Sequence, residues 1–165
     1  MAQERDSAIN IRLAIVADSG ALLRLLPQIS SRPQGAQAQM PDHDTAQNTV
    51  HRLLTNEFIH FFVAESTNES DQTSQLVGTL IMVIVPNLTH GGQPWAQVEN
   101  VVVDQTMRRH GVGRMLLHAA IEQARAAGCY KVQLISGTKP EQLAFYRSMG
   151  FATESCTGHK LYLTP

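Results

Sequence analysis

One stretch constrains this chain more than any other. Val101-Val102-Val103 reads as the end of a buried strand, because consecutive β-branched residues pack well on a pleated surface and crowd a helix. A short polar connection, Asp104-Gln105-Thr106-Met107, leads to Arg108-Arg109-His110-Gly111-Val112-Gly113-Arg114, and an amphipathic helix follows at once. Two glycines just ahead of a helix let the backbone curl until successive N–H groups point into one concavity. The helix N-terminus adds unpaired donors and a partial positive charge. Arg108, Arg109 and Arg114 surround that concavity, and Asp104 is the one acid nearby. Such a strand, loop and helix are suited to a pyrophosphate.

Two familiar phosphate loops are excluded. Gly-x-x-x-x-Gly-Lys-Ser/Thr is absent. After Gly111-Val112-Gly113, Leu116 stands where a dinucleotide-binding fingerprint requires its third glycine. The spacing Arg108-x-x-Gly111-x-Gly113 instead resembles the coenzyme A loop of the GNAT superfamily of N-acetyltransferases. Further on, Gly128-Cys129-Tyr130-Lys131-Val132 opens the next strand, and Ala144-Phe145-Tyr146-Arg147-Ser148-Met149-Gly150-Phe151 resembles the family's Phe-Tyr-x-x-x-Gly-Phe close. The likeness covers residues 76–155, with a weaker match at Ile9-Asn10-Ile11-Arg12. Within the superfamily the motifs are most similar to glucosamine-6-phosphate N-acetyltransferases, which share the strand Val98-Glu99-Asn100-Val101-Val102-Val103 except that Asn100 replaces an acid. Ile135-Ser136-Gly137-Thr138-Lys139 also departs from those relatives, replacing an acidic, cysteine-containing segment. Both departures lie near the acceptor, so the coenzyme half of the resemblance transfers and the sugar-phosphate half does not.

The resemblance implies a fold and a reaction. The fold is α+β: a central mixed, mostly antiparallel sheet, splayed to admit coenzyme A, with helices on both faces and residues 1–165 as a single domain. The reaction is direct acetyl transfer from acetyl-coenzyme A to a primary amine of a small molecule, an amino sugar being one option. Val101, Val102 and Val103 would offer backbone groups to the pantetheine. Arg108, Arg109, His110, Gly111, Val112, Gly113 and Arg114 would hold the pyrophosphate. Ser136 and Lys139 would complete the coenzyme contacts, although Lys139 stands where many relatives carry an asparagine. Tyr146 would donate a proton or hydrogen bond to the departing thiolate, and also reads as a core aromatic. A phenol of ordinary pKa near ~10 is protonated at neutral pH, so it needs no tuning for that task.

Glu99 occupies the place of a general base in relatives. Two residues before Val101 on one strand, it is expected to share that side chain's face, where apolar surroundings would disfavour its charge unless it is paired. A carboxylate hydrogen-bonded to a neighbouring strand is the other reading. His90, in the preceding loop, is a further candidate for acceptor contact. The seven histidines include no His-x-x-x-His spacing, and no metal is expected.

Composition sets the bounds. With 165 residues, 43% hydrophobic and 16% charged, the chain is long enough to bury a core. A net charge of -1 argues against a general nucleic-acid binder. The most apolar run, Leu76 to Val85, is about ten residues, too short for the ~20 of a membrane-spanning helix. Met1-Ala2-Gln3-Glu4-Arg5-Asp6-Ser7 carries no export signal, so a cytoplasmic location is the default, with no membrane partner. A homodimer is left open. Two other functions remain on the sequence: a coenzyme-binding module without catalysis, and acetylation of a protein N-terminus or lysine.

Alternation predicts a strand at Ile9–Ala14, and Asp18 or Ser19 is placed to cap a helix bearing Ala21, Leu22, Leu25 and Leu26. Residues 30–42 read as a loop, and Asp44 or Thr45 starts a second helix with Val50, Leu53 and Leu54. Strands follow at Phe58–Ala64, Gln75–Val85 and Trp95–Val103. The helix after the cradle is expected to expose Arg114, His118, Glu122 and Arg125 and to pack Met115, Leu116, Ala119 and Ala126, ending at Gly128. A strand from Tyr130 to Ser136, a short helix opened by Pro140, and a last hairpin of Phe151–Thr153 with Leu161–Leu163 complete the reading.

Overall fold

A computed structural model describes residues 7–29, 39–68, 70, 72–152 and 158–159, in two compact units, Met1–Leu134 and Ile135–Pro165. The first unit is built on five strands: β1 Ser7–Leu13, β2 Ile59–Asn68, β3 Ser74–Val85, β4 Trp95–Val103 and β5 Val132–Leu134. They lie in sequence order across the sheet, antiparallel from β1 to β4, with β5 parallel to β4. A parallel neighbour needs a crossover, and helix α3, Val112–Ala126, supplies it. Helices α1, Ser19–Leu25, and α2, His43–Leu54, connect β1 to β2. Among the described residues no helix is long and apolar enough to cross a membrane.

Caps explain the boundaries. Asp42, two residues before the expected start, caps α2 by accepting the Thr45 N–H at 2.8 Å. Gly128, at φ +72°, ends α3 and turns the Cys129 N–H back onto the Ala124 carbonyl at 3.0 Å. Asp18 does not cap α1 through its side chain. Its carboxylate instead takes the Arg12 guanidinium at 2.8 Å and the Ile15 N–H at 2.8 Å, and Arg12 also reaches Glu65 at 3.3 Å. Burial opposes the Asp18 charge, but the guanidinium and the Ile15 N–H outweigh it and hold the carboxyl below its usual range.

One face of the sheet carries the α1/α2 core, in which Ala14, Leu22, Val50, Phe61 and Val63 pack with Leu26, Leu53, Leu54, Leu76 and Ile81. α3 packs on β3 and β4 through Val112, Leu116, Leu117, Ala120 and Ala124. That stripe corrects the expected one: Met115 is 38% exposed and Ala126 is also exposed. The expected polar face is matched, with Arg114, His118, Glu122 and Arg125 all exposed and Leu116 buried, so the departure is confined to the flank that carries Met115 and Ala126.

Gly78 fixes how closely α3 approaches. A Cβ there would lie 3.0 Å from Leu116 Cδ1, 3.1 Å from Val112 Cγ1 and 3.1 Å from the Val102 carbonyl. The first turn of α3 therefore rests on bare backbone. Gly78→Val should cost about 1–3 kcal/mol by overpacking, read as a lower denaturant midpoint at unchanged slope. An unchanged midpoint would mean that α3 lifts away freely.

In the second unit, α4 runs Pro140–Ser148 with proline at its first position. Gly150 at φ +89° follows, and the Phe151 N–H returns to the Tyr146 carbonyl at 3.1 Å. Residues 153–157 and 161–163, where most of the expected hairpin falls, lie outside the described residues.

Candidate active site

β4 carries a bulge. Ile81 pairs with Glu99 and Thr79 with Val102, so Asn100 and Val101 together stand opposite Leu80. Asn100 takes φ +53°, a conformation that asparagine tolerates better than most residues. Cross-strand partners share a face, and Thr79 and Ile81 are two apart on β3. Glu99 therefore shares its face with Val102, not with Val101 as alternation alone suggested. Pairing with β5 ends at Val98↔Leu134, and β4 continues to Val103.

Past Val103 the loop is held tightly. Asp104 accepts the Thr106 hydroxyl at 2.6 Å and its N–H at 2.9 Å, and these bonds keep the Asp104 carboxyl below its usual range. Gln28, just past α1, donates to Asp104 at 3.2 Å and accepts the Gln105 N–H at 2.9 Å. Nothing in the spacing of the sequence marks Gln28, which reaches the loop from 76 residues away. Arg108 donates to the carbonyls of Val103 at 3.2 Å and Gln28 at 3.3 Å. Its guanidinium thus ties the strand end to the segment after α1.

Arg109 follows at φ +68°, and the His110 ring meets the Arg108 carbonyl at 3.0 Å through Nδ1. Gly111, at φ +82°, caps α3, and its carbonyl accepts the Met115 N–H at 3.0 Å. Among the described residues, apart from the glycine and its two chain neighbours, no heavy atom comes within 4 Å of where a Gly111 Cβ would sit. Arg109, His110, Gly111 and Arg114 are exposed, Gly113 is half-buried and Val112 is buried. The loop thus presents an open helix N-terminus at the end of β4 with room for an anion.

Glu99 is exposed and accepts the Gln97 amide at 2.8 Å, so it is not the lone carboxylate in an apolar setting that was expected. Gln97 accepts the Gln133 amide at 3.0 Å. Lys131 Nζ lies over the Trp95 ring at 5.1 Å and the Tyr130 ring at 5.6 Å. His90 stacks on Tyr130 at 3.9 Å and 10°. Among the described residues no cluster of three His, Cys, Asp or Glu side chains is placed to hold a metal.

Within the second unit, Ser136 donates to the Gly137 carbonyl at 3.0 Å, and the Lys139 carbonyl accepts the Gln142 and Leu143 N–H groups at the start of α4. Tyr146 meets Phe145 edge to face at 5.2 Å and Phe151 at 6.0 Å. Burial pushes its phenol above the usual range, so its hydroxyl stays protonated and able to donate.

Residues 25–151 match the acetyltransferase (GNAT) family. The chain belongs to that family. As a GNAT protein it is an N-acetyltransferase, and its α+β architecture, with five strands among the described residues, is that of acetyltransferase structures. A glucosamine 6-phosphate N-acetyltransferase of Trypanosoma brucei brucei is 40% identical over 143 residues, 87% of this chain and 88% of that protein. Two solved structures share the fold. An acetyltransferase of Trypanosoma brucei superposes with a TM-score of 0.73 at 24% identity, covering 94% of this chain and 100% of that one. Glucosamine-6-phosphate N-acetyltransferase of Arabidopsis thaliana gives 0.76 at 18% identity, covering 94% and 99%. The loop from Arg108 to Arg114 and the Phe145-Tyr146 pair both fall inside the residues matched to the GNAT family.

Proposed function

We propose that this GNAT enzyme moves acetyl from acetyl-coenzyme A directly onto the primary amine of a phosphorylated amino sugar. One observation carries the coenzyme half: a β4 edge with no β5 pairing past Val98 runs into the open, glycine-capped N-terminus of α3. Backbone groups of Val101, Val102 and Val103 would pair with the pantetheine amides. The N–H groups from Arg109 to Arg114 would hold the pyrophosphate, with Arg108 bracing the loop, and the family resemblance adds Ser136 and Lys139 as coenzyme contacts. Asn100 and residues 135–139 argue against carrying over the sugar phosphate; the 40% identity over 87% of the chain to a trypanosomal protein named for glucosamine 6-phosphate is what supports it.

Acetyl-coenzyme A supplies the activated thioester. Glu99 takes the ammonium proton and passes it to solvent, and the freed amine bonds to the acetyl carbon as the carbon–sulfur bond breaks. The Tyr146 hydroxyl donates a hydrogen bond to the thiolate, which takes up the second N–H proton, leaving the amide and the free thiol. Thiol release over glucosamine 6-phosphate, glucosamine, polyamines and peptides tests the reading. We expect kcat/KM to favour the phosphorylated sugar by at least about tenfold; transfer confined to peptides would reject it. Glu99→Gln should lower turnover roughly 10²-fold; wild-type turnover in the folded variant would remove Glu99 from the proton transfer.

A further inference from the structure

We propose that Trp95, Gln97, Lys131 and Gln133 form the seat of the acceptor, with Glu99 at its amine end and Lys131 at its anionic end. The proposal rests on the reading of Glu99 and of a sugar-phosphate acceptor given above, and adds the residues that select it.

The register builds the seat. Ala96 pairs with Val132 and Gln97 with Gln133, so the two glutamines stand abreast. Trp95 and Glu99 flank Gln97 at two-residue spacing before the bulge, and Lys131 flanks Gln133 in the same way, so all five side chains share one face. On that face α1 packs on β3 and α2 on β2, while α3 takes the opposite face. Among the described residues of this unit neither α1 nor α2 is placed over the β4–β5 part: Glu99 and Lys131 are exposed, and Trp95, Gln97 and Gln133 are half-buried. The strands stop pairing at Val98↔Leu134, level with the Glu99 end, where the coenzyme edge of β4 begins.

The chemistry runs in order along this ledge. A carboxylate suits an ammonium, and two side-chain amides suit ring hydroxyls because each both donates and accepts. An indole face suits the C–H face of a pyranose, and an ammonium suits a phosphate monoester as a point charge. Glu99 lies roughly 13 Å along β4 from Trp95 at a rise of ~3.3 Å per residue. Both charged side chains can lean inward, which leaves a span for one hexose ring and a phosphorylated arm. The amides are also pre-set: Gln133 donates to Gln97 at 3.0 Å and Gln97 to Glu99 at 2.8 Å. Turning Gln97 over would break both bonds.

Steady-state kinetics of the full chain with saturating acetyl-coenzyme A test this, using glucosamine 6-phosphate and glucosamine as acceptors. Lys131→Met should raise KM for the phosphorylated acceptor about tenfold more than for the unphosphorylated one, and Lys131→Arg should restore most of the preference. Gln97→Leu should raise KM for both, with thermal midpoints confirming folded protein. A wild type that prefers the phosphorylated sugar while Lys131→Met and Gln97→Leu keep its KM values would overturn the seat alone. A wild type that acetylates peptides and neither sugar would overturn the acceptor reading and the seat with it.

Discussion

Gly111→Asp is expected to abolish binding of acetyl-coenzyme A in a protein that still folds. Gly111 holds φ +82°, where an L residue is strained, but among the described residues nothing apart from the glycine and its two chain neighbours lies within 4 Å of the Cβ position. The free protein therefore meets strain without collision, about 1 kcal/mol, and aspartate is among the side chains that tolerate this conformation best. A carboxylate at the N-terminus of α3 even suits the helix dipole. The same carboxylate would fill the open space proposed for the pyrophosphate and set like charge against it. We expect the dissociation constant to rise at least about a hundredfold, read by calorimetric titration beside a thermal midpoint within a few degrees of the wild type. Gly111→Ala separates the causes, because it shares the strain and lacks the charge; its affinity should fall between the two. Undiminished affinity in folded Gly111→Asp would remove the cradle assignment.

The strand, loop and glycine-capped helix start were legible in the sequence because their parts are contiguous: a β-branched strand end, a glycine that needs positive φ, and a helix start lie within one stretch. The features that were not legible depend on register or on distant partners. Nothing in Glu99-Asn100-Val101 announces a bulge, since no glycine marks it and asparagine is only a hint, so Glu99 was assigned to Val101's face. Gln28 enters from the far side of the sheet. Gln97 and Gln133 each read as an ordinary strand position until the parallel pairing sets them side by side. Gly78 is one small residue in an apolar run, and its role exists only once α3 lies across it. Strand and helix types and the polar face of α3 are legible because hydrophobic period is a local property, whereas the exposure of Met115 and Ala126 depends on how the sheet beneath α3 is shaped.

Tyr146→Phe separates chemistry from binding. The substitution removes one hydroxyl and keeps the ring, so the edge-to-face contacts with Phe145 and Phe151 and the end of α4 should persist. Acid assistance contributes roughly 10²–10⁴-fold in general, and we expect turnover with the authentic acceptor to fall at least about tenfold. The thiolate needs its proton only as the acyl group leaves, which places the loss in kcat and spares KM for both substrates. Burial has already pushed this phenol up, so it is a weaker acid than a free tyrosine. A thiol near ~8.5 gains little from outright proton transfer from such a donor, and the hydroxyl therefore acts chiefly as a hydrogen bond to charge developing on sulfur. The sign of the shift sets the pH dependence. A donor whose pKa is raised stays protonated through neutral and moderately basic pH, so kcat should show no basic limb below about pH 10 that disappears in Tyr146→Phe. A limb at lower pH that the variant abolishes would contradict the raised pKa. Wild-type kcat in Tyr146→Phe, with the same pH profile, would reduce Tyr146 to a packing residue and leave the enzyme working by holding amine and thioester together.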